Sequence, residues 1–207
     1  MEILAKTTVK INGRYETGLL WIKDDVELPE SQSMAVQRLR CTERKMDKDA
    51  DFAKQYCEKI ADYERKNYIR KLNSEEYNAA NTKTWYLPHF GVINPSKPGK
   101  IRLVFDAAAK SHGVCLTNDN LLNGPDLVTS IISVLIKFRQ GKFAICGDIK
   151  EMFHQMSIRQ DDRCSQRFLW RGMQRNIEPD VYKMNVMIFG SSSSPCSAQF
   201  VKNLNAQ

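Results

Sequence analysis

The chain lacks any apolar run long enough to cross a membrane, and its first twenty residues mix Glu2, Lys6, Lys10 and Arg14 among the apolar ones, so no signal-peptide core is present. The expectation is a cytoplasmic, reducing compartment. No two of Cys41, Cys57, Cys115, Cys146, Cys164 and Cys196 fall at the close spacing of a metal knuckle, so a zinc site would need distant residues to converge. His112 and Cys115 are three apart, but in a Ser/Gly/Asn-rich loop they read as ordinary loop residues, and free thiols are expected. Disorder is also excluded, because 42% of the 207 residues are hydrophobic and 27% charged, enough to bury a core. What is present in excess is positive charge: 31 Lys+Arg against 24 Asp+Glu leave +7, which suits a polyanionic partner without requiring one.

From the start, Tyr15 to Trp21 with Gly13 and Gly18 is a weak strand or extended lead-in, closed by Lys23-Asp24-Asp25 and Pro29. Asp24 and Asp25 read as solvated turn charges. Ser31 or Ser33 offers an N-cap for a basic helix running to about Met46. Phe52, Tyr56, Ile60 and Tyr63, at spacings of 4, 4 and 3, then share one face of a second helix, as packing residues. The polar stretch from Asn73 to Thr82 ends this helical region and divides the chain into an N-terminal connector with two helices, 1–82, and a main domain, 83–207.

The main domain opens with two apolar segments, Trp85 to Ile93 and Ile101 to Asp106, joined by the Pro/Gly turn Asn94 to Lys100, a β-hairpin with Lys97 and Lys100 at its tip. Arg102 alternates with Ile101 and Leu103, so its side chain leaves the sheet on the opposite face. Such cations can close over a triphosphate, or they can simply solubilise a turn. Leu121 to Asp126 signals a helix start, and Val128, Ile131, Ile132, Leu135, Ile136 and Phe138 predict a broad buried face. The stretch Phe143 to Met156 comes next, an apolar strand that delivers Asp148 to its end and then bends. A carboxylate there can hold Mg²⁺ and neutralise phosphate charge, or it can be a turn former or helix cap. Asp161-Asp162 reads as a solvated turn. Arg167 to Trp170 and Val181 to Ile188 predict antiparallel strands, and Phe189 to Pro195 is a small-residue loop opening a final helix.

These blocks, in this order, resemble the reverse transcriptase region of retroelement polyproteins, and specifically that of the BEL/Pao class of LTR retrotransposons. The residues that carry the resemblance are Trp85-Tyr86-Leu87-Pro88-His89, Val92-Ile93-Asn94-Pro95, Lys97 to Ala107, Leu121 to Leu127, Asp148-Ile149 with Met152-Phe153-His154-Gln155, Arg167-Phe168-Leu169-Trp170, and Phe189-Gly190 with Ser193-Ser194-Pro195. The resemblance implies an α+β fold, the fingers and partial palm of a right-hand polymerase, with an antiparallel sheet, packed helices and the helical connector in front. It implies a nucleic-acid-binding nucleotidyltransferase, an RNA-directed DNA polymerase that extends an RNA or DNA template-primer with deoxynucleoside triphosphates by two-metal (Mg) transfer. A protease, ribonuclease H and integrase are the expected companions in the parent transposable element.

Residue by residue, it makes Asp148 the first catalytic carboxylate and metal ligand, with the backbone carbonyl of Ile149 on the nucleotide-bound ion. Phe153 becomes a steric gate against a ribose 2′-hydroxyl. Amides of Glu151 and Met152 would face the triphosphate. Arg102 would grip phosphates with Lys97 or Lys100, and Phe189 and Gly190 would line the nucleotide pocket. The chain departs from the family in one respect: the aromatic-x-Asp-Asp block expected after Phe189-Gly190 is not in the sequence. A lone Asp cannot assemble a two-metal site, so the expectation is an inactive fragment of marginal stability. The alternative is a non-enzymatic basic remnant that binds nucleic acid or another protein.

Overall fold

Asn12 and Gly13, at φ 50° and 79°, supply the left-handed turn of a tight hairpin. α1 (Glu2–Thr7) leads into it, and β1 (Val9–Ile11) returns as β2 (Arg14–Thr17). The structure is a computed structural model that describes residues 2–93 and 99–206. The hairpin tip that carries Lys97 lies outside the described residues.

α2 (Gln32–Lys48) and α3 (Ala50–Arg65) meet at Asp49, whose extended backbone ends one helix and whose carboxylate caps the next by accepting the Phe52 amide at 2.9 Å. Ser31 occupies the N-cap of α2 as expected, yet its hydroxyl accepts the Tyr86 amide instead, while Glu30 accepts the Ser33 amide, each at 2.9 Å. The chain thus ties its first long helix to the segment that opens the main domain. Phe52, Tyr56, Ile60 and Tyr63 are all buried along α3. Each such side chain contributes about 2 kcal/mol by leaving water.

β3 (Ile69–Lys71) and α4 (Ser74–Asn78), with its Asn73 capping box, come after. β4 (His89–Ile93) and β5 (Ile101–Phe105) are the expected hairpin, with His89 opposite Phe105 and Val92 opposite Arg102. A small ribbon, β6 (Lys110–Ser111) with β7 (Val114–Cys115), leads into α5 (Leu116–Asn120) and then α6 (Ile131–Phe138). Beyond a 3-10 turn at Met152–Gln155 come β8 (Met156–Ile158), a second 3-10 segment Gln160–Gln166, β9 (Arg167–Trp170), β10 (Asp180–Met184) and α7 (Ser194–Asn205).

The fold is mixed α+β with small sheets. β10 pairs antiparallel with both β9 and β3, and β2 pairs parallel with β8, Tyr15 opposite Met156 and Thr17 opposite Ile158. Strands on either side of residue 82 therefore share two sheets, and one apolar core runs from Leu19 through α2 and α3 to Val201. His89 sits at its centre. Its Nε2 faces the Leu169 carbonyl at 2.8 Å, and because a carbonyl only accepts, Nε2 carries the proton and Nδ1 accepts from the Tyr56 hydroxyl.

Three local expectations fail. Residues 143–148 form no strand and are exposed, Phe143 at 83% and Ile145 at 93%, because no strand among the described residues offers its backbone groups to them. α6 exists but begins at Ile131, and its predicted apolar face is bare: Ile131 and Ile132 are each 68% exposed, since no element among the described residues packs on it. Asp162 is no solvated turn residue. Its carboxylate is buried and accepts the Leu19 amide and the Trp21 indole N–H, both at 2.8 Å, while Asp161 beside it is exposed.

Candidate functional site

The bend after Asp148 is built on one left-handed residue. Glu151, at φ 53°, reverses the chain into the Met152–Gln155 turn, a conformation that costs a non-glycine residue about 1 kcal/mol or more. Its side chain offsets that cost. The carboxylate accepts from Lys66 Nζ at 2.9 and 3.1 Å and from the Tyr68 hydroxyl at 2.9 Å, with Lys59 at 3.9 Å. Partial burial pushes the Glu151 pKa up, but the hydrogen bonds from Lys66 and Tyr68 outweigh it and hold the group below the usual carboxylate range. The end of α3 and the lead into β3 thus fix the bend.

That bend presents Phe153 and His154. The Phe153 ring meets Phe189 edge to face, centroids 4.5 Å apart, although the two come from separate sequence blocks. His154 is buried among Tyr63, Tyr68 and Phe189, with Nδ1 unpartnered among the described residues. Burial holds its pKa down at about 4, with Lys59 and Lys66 acting in the same direction and Glu151 against it, so it is neutral at pH 7. Gly190 comes next to Phe189 at φ 102°, and a Cβ there would stand 2.7 Å from the Phe105 carbonyl oxygen. Only glycine fits, so the Phe189-Gly190 turn lies against the end of β5, the strand that carries Arg102. Ser194 secures the loop by donating to the Ile188 carbonyl at 2.8 Å.

No protein-family model and no curated protein matches the chain.

The expected site residues therefore divide. Phe153, Phe189 and Gly190 come together, with β5 alongside. Lys100 and Arg102 are exposed on the hairpin, and Lys97 lies outside the described residues. Ile149 and Met152 line a different feature, a shallow groove of about 230 Å³ whose floor also includes Met156, Ala198 and Val201 and whose rim carries Arg14 and Lys202. Asp148 is open to solvent in irregular backbone. Among the described residues no three His, Cys, Asp or Glu side chains converge on one point. A two-metal site would need further oxygen ligands beside Asp148.

Sequence reasoning missed the Lys66 and Tyr68 clamp on Glu151 and the aromatic cage of His154. Tyr63 at the end of an apolar helical stripe was the one signal of the cage. Nothing local announces the clamp, because its partners lie more than eighty positions apart.

Proposed function

We propose that the chain is the fingers and partial palm of a reverse transcriptase of the BEL/Pao class, a nucleotide-binding piece of an RNA-directed DNA polymerase. The observation that carries this reading is the contact of Phe153 with Phe189. The resemblance assigns these aromatics, from distant blocks, to one nucleotide pocket, and the fold has them touching beside the strand that bears Arg102. In the polymerase, Phe153 would exclude a 2′-hydroxyl, Arg102 would pair with the triphosphate, and Asp148 would contribute one oxygen ligand to a divalent ion.

Equilibrium binding of fluorescent deoxynucleoside and ribonucleoside triphosphates tests it. The deoxy form should bind more tightly, Phe153→Ala should abolish that preference, and Arg102→Ala should weaken both by about tenfold, the worth of a charge-assisted phosphate contact. Equal binding of both nucleotides by the unaltered chain would sink the reading. A second reading, a non-enzymatic basic remnant that binds nucleic acid or another protein, rests on the net charge of +7. Primer extension by a longer product of the same reading frame, lost on Asp148→Asn, would decide for the first.

A further inference from the structure

α2 turns a basic row to solvent. Arg40, Arg44 and Lys48 are four residues apart, which stacks them on one face about 6 Å from one another along the axis. All three are exposed, and among the described residues none pairs with a carboxylate. The reason is local. The only acids of α2 are already engaged: Glu43 with Arg171 at 2.7 Å and Asp47 with Arg175 at 2.9 Å. Glu43 and Asp47 stand beside Arg40 and Arg44 but are directed to Arg171 and Arg175, so the row itself forms no ion pair among the described residues.

Beside the row lies a depression of about 290 Å³ between α2 and β4. Arg38 and Lys45 edge it, and the half-buried Phe90 ring forms part of its wall. Cations in a line beside an accessible aromatic are the two ingredients of single-strand recognition: phosphates follow the charges and a base stacks on the ring. The exposed row holds no large apolar residue, so it lacks the insertion face of a membrane-surface helix. A duplex would satisfy the charges but leave Phe90 unused.

We propose that this face of α2 binds the phosphodiester backbone of a single nucleic-acid strand, with one base against Phe90. The inference rests on the reading that the chain handles nucleic acid, but it uses none of Asp148, Phe153 or Phe189.

The test is fluorescence anisotropy of the full chain with labelled single-stranded RNA, single-stranded DNA and duplex DNA across a salt series. The triple variant Arg40→Gln/Arg44→Gln/Lys48→Gln is compared with Lys23→Gln/Lys54→Gln/Lys137→Gln, which removes equal charge from exposed positions elsewhere. Thermal melts should show both variants folded, since every altered side chain is exposed. The α2 variant should bind single strands at least about tenfold more weakly and lose about 2 from the slope of log affinity against log salt, roughly 0.7 per phosphate contact. The control should change little. Phe90→Leu, which keeps the packing, should lose about tenfold on single strands and nothing on duplex.

Equal losses in the two triple variants would reduce the effect to diffuse charge and overturn the inference. So would tighter binding to duplex than to single strands, or tighter binding to anionic vesicles than to either. If the unaltered chain binds no oligonucleotide, the nucleic-acid reading falls as well. If it binds and the α2 variant matches it, only this surface is wrong.

Discussion

Asp162→Ala should separate a buried acceptor from a turn charge. Its carboxylate takes two donors, the Leu19 amide and the Trp21 indole N–H, at 2.8 Å each, and all three residues are buried. Truncation to alanine leaves both donors without a partner, at about 1–3 kcal/mol apiece, so a loss near 3 kcal/mol is expected. In urea, with a slope of about 2 kcal/mol per molar, the midpoint should fall by about 1.5 M. Asp161→Ala, one residue away and exposed, should stay within about 0.5 kcal/mol of the parent. Asp162→Asn should fall between, since an amide keeps one acceptor. Trp21 fluorescence is the natural probe because its ring N–H is one of the two donors. Equal midpoints for the Asp161 and Asp162 variants would refute the reasoning and return the pair to the solvated turn that their polar flanks suggest.

Gly190→Ala should destabilise by about 2–3 kcal/mol, strain plus the clash with the Phe105 carbonyl, whereas Gly13→Ala, at similarly positive φ with nothing within 4 Å, should cost only the strain, about 1–2 kcal/mol. Urea denaturation of the two, with equal losses, would discount the contact. Burial holds His89 and His154 at about 4 against an ordinary value near 6.5, so the unfolded chain takes up these protons first and stability drains away as pH falls from about 6.5 toward 4. Melting temperature should therefore be lower at pH 5 than at pH 7.5, with a smaller drop in His154→Phe. Glu76 works in a lower window: hydrogen bonds from Arg70, then Lys183, hold it at about 2, so its contribution is present above the ordinary glutamate value and fades as pH drops toward 2. Glu76→Gln should flatten the stability profile below pH about 4. Ile132→Glu with Leu135→Glu, on the bare face of α6, should raise solubility and cut binding of a hydrophobic dye without lowering the urea midpoint, because neither side chain is buried.

Periodicity was sufficient where an element carries its own instructions. The spacing of Phe52, Tyr56, Ile60 and Tyr63 placed α3 and its buried face, and the Pro/Gly turn between two apolar runs placed the β4–β5 hairpin. Phe143 to Asp148 shows the limit: an apolar run becomes a strand only when another strand pairs with it. α6 shows the same limit for packing, since an apolar stripe predicts burial only if an element arrives to cover it. Phe153, Phe189 and Gly190 were singled out only through the family resemblance, and their coming together depends on the fold. The Glu151 clamp was not legible, because a glutamate next to Lys150 on paper is a solvated charge, and only the end of α3 supplies Lys66. Asp162 escaped for a related reason: its donors sit at Leu19 and Trp21, at the other end of the chain.

The pairing of β3 with β10 also sets a clock during synthesis. Lys71 lies opposite Tyr182, so the strand that completes β3 leaves the ribosome about 110 residues later. At about 5–20 residues per second, β3 waits roughly 5–20 s with its backbone donors and acceptors unclaimed. The nascent N-terminal half is therefore a template for promiscuous strand pairing, and a holding chaperone should engage it in that interval and release it once β10 has been made.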